Sequence, residues 1–131
     1  MPTPSPEIIL ELLPCSLTVC KTRSNAAAAP IPHDSALIFT GCTDEENSLV
    51  CETRCVPPDA LVRDDGWSAF RIRGVLDFSL IGILARIASV LADADISIFA
   101  VSTYNTDYIL VKDAPGARAA LTAAGYTVIQ A

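Results

Sequence analysis

The sequence has 131 residues, of which 51% are hydrophobic and 18% are charged, and its formal net charge is −6 at pH 7. This length suits one ordinary domain or two very small ones, and the apolar content is enough to build a packed core. The acidic balance argues against binding of nucleic acid or of an anionic membrane surface through a basic face.

The ends and the apolar runs of the sequence bear on its compartment. No apolar run reaches the roughly 18 residues that span a bilayer. The first residues lack the basic segment of a secretory signal peptide, and Glu7, Glu11 and Pro14 interrupt their apolar residues. We therefore expect a cytoplasmic protein with no membrane partner.

The first sixty residues predict a small and irregular α/β unit. Alternating apolar residues predict strands over 16–22, 35–40 and 48–53. The Ala/Pro-rich segment 25–32 gives no clear helix, and the acidic segment 41–47 predicts a turn or a single helical turn. The unit is too small to bury much apolar surface alone, so we expect it to pack against the rest of the chain.

Two short polar segments follow. The prolines of residues 56–59 predict a connector, because proline lacks an N–H donor and resists helix. The Asp-Asp-Gly sequence at 64–66 predicts a turn. We therefore predict a shortened N-terminal unit at residues 1–60 and a second unit at residues 61–131.

The second unit has clearer periodicity. Apolar residues alternate or recur at helical spacing in six segments, and Asp113, Pro115 and Gly125 supply helix start and stop signals. The segments are strand 67–74, helix 80–92, strand 96–101, strand 107–112, a helix after Asp113, and strand 126–129. This β-α-β-β-α-β order predicts an α+β fold of the ferredoxin-like class.

The loop and helix start at residues 74–83 form a candidate anion site. The first backbone N–H groups of a helix have no intrahelical partner and carry the positive end of its dipole, so a small carboxylate can bind there. Gly82 has no side chain and would let a ligand approach closely. The alternative is that Asp77 or Ser79 caps the helix and Gly82 serves helix–sheet packing.

The predicted hairpin at residues 102–107 is a second candidate, because it combines hydroxyl groups with a carboxylate. Asp107 could hold an ammonium or guanidinium group. An Asp that enters a core strand is costly unless it is paired, which favours a functional role for it. Asn105 is expected to be an ordinary solvated turn residue.

The acidic segment before the third predicted strand is a third candidate. Asp44, Glu45 and Glu46 are expected to be a solvated loop. Residues 48–50 could instead present edge-strand backbone groups to a ligand.

Catalytic and metal signatures are weak. His33, the only histidine, lies in a Pro-rich segment with no recognisable nucleophile, and no phosphate-binding glycine motif is present. A metal or redox protein would use Cys42, Cys51 and Cys55, but the paired C-x-x-C knuckles of structural zinc sites are missing. Free cysteines are often small buried hydrophobes. We expect no enzyme activity, no metal and no cofactor.

Residues 74–111 resemble the ACT-domain family, in particular the branch of small bacterial ACT proteins and CASTOR-type cytosolic arginine sensors. The resemblance lies in DFSLIGI at 77–83, ADISIF at 94–99 and STYNTDYILV at 102–111. Upstream, TDEENSLVCE at 43–52 is similar to a segment of the same branch. The resemblance as a whole implies two tandem ACT-like units packed together and a regulatory, amino-acid-binding protein.

The resemblance also implies a site at the interface between two ACT units. The ligand's carboxylate would meet backbone amides at the helix start, and its polar end would meet the hairpin. The partner unit would contribute its serine-leucine-valine segment. The matching residues are Phe78, Ser79, Gly82 and Ile83 at the helix start, Ser102, Thr103 and Asp107 at the hairpin, and Ser48, Leu49 and Val50 in the partner unit.

The implied partners are an amino acid, a second copy of the chain in a homodimer, and a separate regulated protein. The alternative is an ACT interaction or dimerisation module that has no small-molecule site. Which amino acid would bind stays open, since every amino acid carries an ammonium group.

Overall fold

The protein is described by a computed structural model that covers residues 8–23, 34–74 and 81–131. Backbone contacts divide the chain into two units. We call Met1–Pro14 with Ser68–Ala131 the helical unit, and Cys15–Trp67 the inserted unit, because it interrupts the helical unit in sequence. The strands are β1 (Ile9–Leu12), β2 (Leu17–Thr22), β3 (Ile38–Cys42), β4 (Asn47–Glu52), β5 (Val62–Ile72), β6 (Ile98–Ser102), β7 (Asp107–Val111) and β8 (Thr127–Gln130), and the helices are α1 (Ile83–Asp93) and α2 (Ala114–Ala123).

The sheet of the helical unit has the strand order β6-β7-β5-β1-β8. Strand β7 pairs antiparallel with both β5 and β6, and β8 pairs parallel with β1. The α+β class and the predicted β-α-β-β-α-β order of this part of the chain are confirmed.

Strand β1 is an element that the sequence patterns did not predict. It lies between β5 and β8, where the simple ferredoxin-like order would pair those two strands directly. Leu10 of β1 is fully buried, and the Glu11 carboxylate accepts a 3.1 Å hydrogen bond from Arg71 Nε on β5. This pairing is why the backbone contacts group Met1–Pro14 with Ser68–Ala131, while the predicted division at residue 60 stays a prediction.

Both helices of the helical unit bury one apolar stripe against one face of the sheet. At the start of α2 the Asp113 carboxylate accepts a 2.9 Å hydrogen bond from the N–H of Gly116, with Pro115 in the first turn, which confirms the predicted N-cap. The resulting core consists of Leu10, Phe70, Ile72, Ile87, Leu91, Ile109, Val111, Ala117 and Leu121.

The inserted unit has the strand order β3-β4-β2-β5, with all neighbours antiparallel. If β2, β3, β4 and β5 are numbered 1 to 4 in chain order, this order is 2-3-1-4. The strands β5, β6, β7 and β8 of the helical unit, numbered in the same way, have the same order apart from the interposed β1. A single 3-10 turn at Thr53–Cys55 is the only helical element among its described residues. The Ala/Pro-rich segment 25–32 lies outside the residues that the structure describes.

The predicted turn at Asp64-Asp65-Gly66 is wrong, because these residues lie inside β5. The β2–β5 register shifts between Leu17 and Val19, and Gly66 has φ +90°, so the glycine serves a β-bulge. The bulge lets Asp65 Oδ1 accept a 2.7 Å hydrogen bond from the buried hydroxyl of Thr18.

Within the described residues, no helix is long and apolar enough to cross a membrane.

Candidate functional site

The two strongest candidate segments meet at one end of the helical unit. Strand β5 runs parallel to β6 and antiparallel to β7. The C-terminal end of β5 and the β6–β7 turn therefore lie at the same end of the strands. Helix α1 leads into the start of β6, at the opposite end of the strands, so its first turn begins at the end that carries the β6–β7 turn. The fold therefore brings Gly82 and Ile83 to the end of the unit that carries Ser102, Thr103 and Asp107.

Helix α1 begins without a side-chain cap from the described residues. Gly82 is the N-cap residue with φ +81°, a conformation that favours glycine, and its carbonyl accepts the first helical bond from Arg86 at 3.0 Å. The N–H groups of the first turn have no partner within the helix. They are the donors that the sequence predicted for a carboxylate, whereas Asp77, Phe78 and Ser79 lie outside the described residues.

The β6–β7 turn is tightly built, and Thr103 is part of its construction. Its backbone N–H and its hydroxyl both donate to the carbonyl oxygen of Thr106, at 2.8 and 2.9 Å. The predicted role of Thr103 as a ligand contact therefore competes with a structural role. Ser102, exposed at the end of β6, is the register partner of Asp107.

Asp107 differs from the other polar residues of the turn. Its side chain is half-buried at the first position of β7, and it forms no hydrogen bond or ion pair with residues 8–23, 34–74 or 81–131. Partial burial of a carboxylate without a partner is unfavourable. No described side chain therefore occupies the carboxylate of Asp107.

Thr106 is a residue of this site that the sequence patterns did not reveal. It is only 6% exposed, and its hydroxyl donates a 2.7 Å hydrogen bond to the carbonyl oxygen of Ile72, the last residue of β5. A threonine in a turn gives no signal in a single sequence, because the acceptor lies 34 residues away.

The predicted presentation of an edge-strand backbone by residues 48–50 is wrong. Strand β4 lies between β2 and β3, and Ser48 has register partners on both sides, Lys21 and Gly41. Leu49 and Val50 are buried, at 5% and 3% exposure. The assignment of Ser48, Leu49 and Val50 to a ligand site stays a prediction.

Three of the cysteines lie close together in the inserted unit. Cys20 and Cys51 are buried together with Leu49, and Cys55 packs against them. Burial, with a smaller contribution from Cys20 and Cys55, raises the pKa of the Cys51 thiol to about 11. This thiol is therefore protonated at neutral pH and is a poor nucleophile.

Within residues 8–23, 34–74 and 81–131, no cluster of three or more His, Cys, Asp or Glu side chains could hold a metal ion. His33 lies outside the described part of the chain.

The part of the chain that carries this site is similar to a known protein family. Residues 62–122 match the family described as the ACT domain. This range contains the start of α1, the β6–β7 turn and Asp107. No functionally curated protein matches the sequence.

Several solved structures share the fold over most of the chain. An Agrobacterium tumefaciens protein is 29% identical, covers 97% of this chain and 96% of its own, and superimposes with a TM-score of 0.85. A Vibrio cholerae protein of unknown function, described as a possible transport protein, is 22% identical over 90% of this chain and 87% of its own, with a TM-score of 0.69. The regulatory subunit of aspartate kinase from Thermus thermophilus is 13% identical over 88% of this chain and 91% of its own, with a TM-score of 0.56.

Residues 62–122 are therefore similar to the ACT domain family, and the neighbouring structures share the fold of this chain.

Proposed function

We propose that this chain is a regulatory module that binds an amino acid at the end of the helical unit where α1 begins. The observation that carries the proposal is the half-buried carboxylate of Asp107, which has no partner among the described residues. Asp107 lies at the same end of the strands as the start of α1, which has no side-chain cap. A carboxylate for a cation and N–H donors for an anion together suit a zwitterion.

The proposed chemistry follows from the two groups. The N–H donors of the first turn of α1, with the positive end of the helix dipole, bind the carboxylate of the ligand. Asp107 accepts hydrogen bonds from an ammonium or guanidinium group, and a charged hydrogen bond of this kind contributes about 1.5–3 kcal/mol. The predicted contacts from Ser102, Thr103, Phe78 and Ser79 belong to this proposal.

The comparisons support a regulatory role over a catalytic one. The ACT family match covers the candidate site, and one structure with the same fold is itself a regulatory subunit of an enzyme. We extend the proposal to a relation with CASTOR-type arginine sensors, to the predicted contacts of Ser48, Leu49 and Val50, and to control of a separate protein chain.

A second candidate function is an interaction module without a small ligand. Two large apolar side chains at the candidate end of the helical unit are strongly exposed, Ile81 at 86% and Tyr104 at 79%. Their exposure favours contact with another protein chain, including a second copy in a homodimer.

The test is a thermal-shift screen of the twenty amino acids at millimolar concentration, followed by titration calorimetry with the amino acid that gives the largest shift. A ligand at about 100 times its Kd stabilises the native state by roughly 2.7 kcal/mol, which raises Tm by several degrees. Asp107→Ala is expected to weaken binding at least about tenfold. Asp93→Ala, at the far end of α1, is the matched control.

The outcomes separate the two candidate functions. A shift with one or two amino acids that depends on Asp107 supports the amino-acid-binding module. A flat screen would favour the interaction module, and an Asp107→Ala affinity within about twofold of the wild type would disprove the charge-recognition role.

A further inference from the structure

The β3–β4 and β6–β7 hairpins have the same pairing register, with paired residues that differ by sixty in residue number. In β3–β4 the pairs run from Ile38↔Cys51 to Cys42↔Asn47. In β6–β7 they run from Ile98↔Val111 to Ser102↔Asp107. Each of the five pairs in one hairpin has its counterpart in the other, so Asn47 occupies the position of Asp107.

The two turns are also built alike. Thr43 N–H donates to the carbonyl oxygen of Glu46 at 2.9 Å, and Thr103 N–H donates to that of Thr106 at 2.8 Å. In both turns the threonine hydroxyl lies within hydrogen-bond distance of the same carbonyl oxygen. The sequence and the hydrogen bonding therefore agree on the equivalence of the two hairpins.

The strands beside the hairpins correspond as well. Lys21 pairs with Ser48 in the inserted unit, and Arg71 pairs with Tyr108 in the helical unit. The end of β2 is therefore equivalent to the end of β5, which places Arg23 at the position of Arg73.

The residue that ties the turn to this strand end differs between the copies. In the inserted unit Asn47 does it: this residue is 6% exposed, and its Nδ2 donates a 2.8 Å hydrogen bond to the carbonyl oxygen of Arg23. In the helical unit Thr106 does it, through its bond to the Ile72 carbonyl oxygen. The position of Thr106 holds an exposed Glu46 in the inserted unit.

We propose that the β3–β4 hairpin is structurally equivalent to the ligand-binding β6–β7 hairpin but does not itself bind a ligand. We call it the closed copy. Asn47 is occupied in holding its own turn, whereas Thr106 has taken over that task and leaves the Asp107 carboxylate available. The chain then anchors one amino acid, at Asp107, and none at the equivalent position. The second half of this inference rests on the proposed amino-acid-binding function.

The experiment exchanges the two residues in opposite directions and measures Tm without ligand. Asn47→Asp replaces the amide donor with a carboxylate that cannot donate to the Arg23 carbonyl, and its Tm is expected to fall by at least about 3 °C. Asp107→Asn is the matched control and is expected to leave Tm unchanged or raised. Glu46→Thr combined with Asn47→Asp supplies a hydroxyl at the position of Thr106 and is expected to recover part of the lost Tm.

The twenty amino acids are then added singly at millimolar concentration to the wild type and to each variant. Asp107→Asn is expected to abolish the amino-acid-dependent shift. The double variant is expected to keep it, and titration of the wild type should give one bound amino acid per chain. If Asn47→Asp does not fold, recovery of folding in the double variant would show that a hydroxyl at position 46 can replace the Asn47 amide, and failure of both variants to fold would overturn the exchange of roles.

The outcomes distinguish this inference from the proposed function. Equal losses of Tm in Asn47→Asp and Asp107→Asn would overturn the exchange of roles, even if an amino acid binds. Two amino acids bound per wild-type chain would overturn the closed copy. No shift with any amino acid would disprove the proposed function, while the ligand-free Tm values still decide the structural roles of Asn47 and Thr106.

Discussion

The hydroxyl of Thr106 donates a 2.7 Å hydrogen bond to the carbonyl oxygen of Ile72, and this bond joins the two segments that carry the candidate site. Ile72 ends β5, from which the chain leads to α1, and Thr106 directly precedes Asp107. The bond is buried, so its geometry is protected from competition by water. It thereby fixes the position of the Asp107 backbone relative to the strand that precedes α1.

Removal of the Thr106 hydroxyl is expected to destabilise the protein. Thr106→Val keeps the shape of the side chain but leaves the Ile72 carbonyl without this donor, at a cost of about 1–3 kcal/mol in the free energy of unfolding. Chemical denaturation checks this. Thr40→Val, at an exposed position of β3, is the control and should change stability by no more than about 0.5 kcal/mol. Equal effects of both substitutions would show that the buried bond contributes nothing.

Strand β1 is expected to be an essential part of the helical unit's core. Leu10 is fully buried among residues of β5, β7, α1 and α2, so Leu10→Ala should lower the free energy of unfolding by about 2–5 kcal/mol. Leu61→Ala is the control, because Leu61 is 52% exposed and loses little packing. A loss for Leu10→Ala no larger than that of the control would contradict the observed place of β1.

The N-cap of α2 is expected to depend on a pair of residues. Asp113→Ala removes the acceptor for the Gly116 N–H and should cost about 1 kcal/mol. A Cβ at Gly116 would collide with the Asp113 carboxylate, so Gly116→Ala should disrupt the same cap. In the Asp113→Ala background, Gly116→Ala should instead be neutral or stabilising, because alanine favours a helix by about 1 kcal/mol over glycine. A double-mutant cycle measures this coupling, and simple additivity would argue against it.

The stability of the protein is expected to fall in alkaline solution because of Cys51. Its pKa is raised by burial from 9.0 to about 11, so the folded state holds this proton more tightly than the unfolded state. The contribution is complete below pH 9 and is lost as the pH rises towards 11, at up to about 1.4 kcal/mol per pH unit.

Urea titrations between pH 8 and pH 11 measure this effect, with wild-type protein compared against Cys51→Ala. The wild type should lose more stability over this range than the variant. Cys42→Ser, at an exposed position, should follow the wild type. Parallel curves for all three proteins would show that Cys51 does not ionise in this range.

The order of elements in residues 67–131 and the cap of α2 were predictable from the sequence, because both depend on neighbours within a few positions. Helical spacing places the apolar residues of α1 on one face, and Asp113 reaches a donor only three residues away. The same local signals predicted a helix from residue 80, whereas the observed helix begins at Ile83 with Gly82 as its N-cap, and they placed Asp107 at the entry of a strand. Those residues share one end of the unit simply because a strand, a helix and a hairpin follow one another.

Other features were decided only by tertiary structure, since each depends on a partner distant in the chain. Strand β1 is too short for its pattern to be distinctive, and it exists because β5 and β8 provide backbone partners on both sides. The glycine at position 66 is compatible with a turn or a bulge, and pairing of β5 with β2 selects the bulge. Likewise, the sequence marks Asn47 and Thr106 only as polar turn residues, whereas hydrogen bonds across 24 and 34 positions give them their roles. Local periodicity determines which segments become helix or strand, and long-range backbone pairing determines which polar side chains are occupied and which remain available to a ligand.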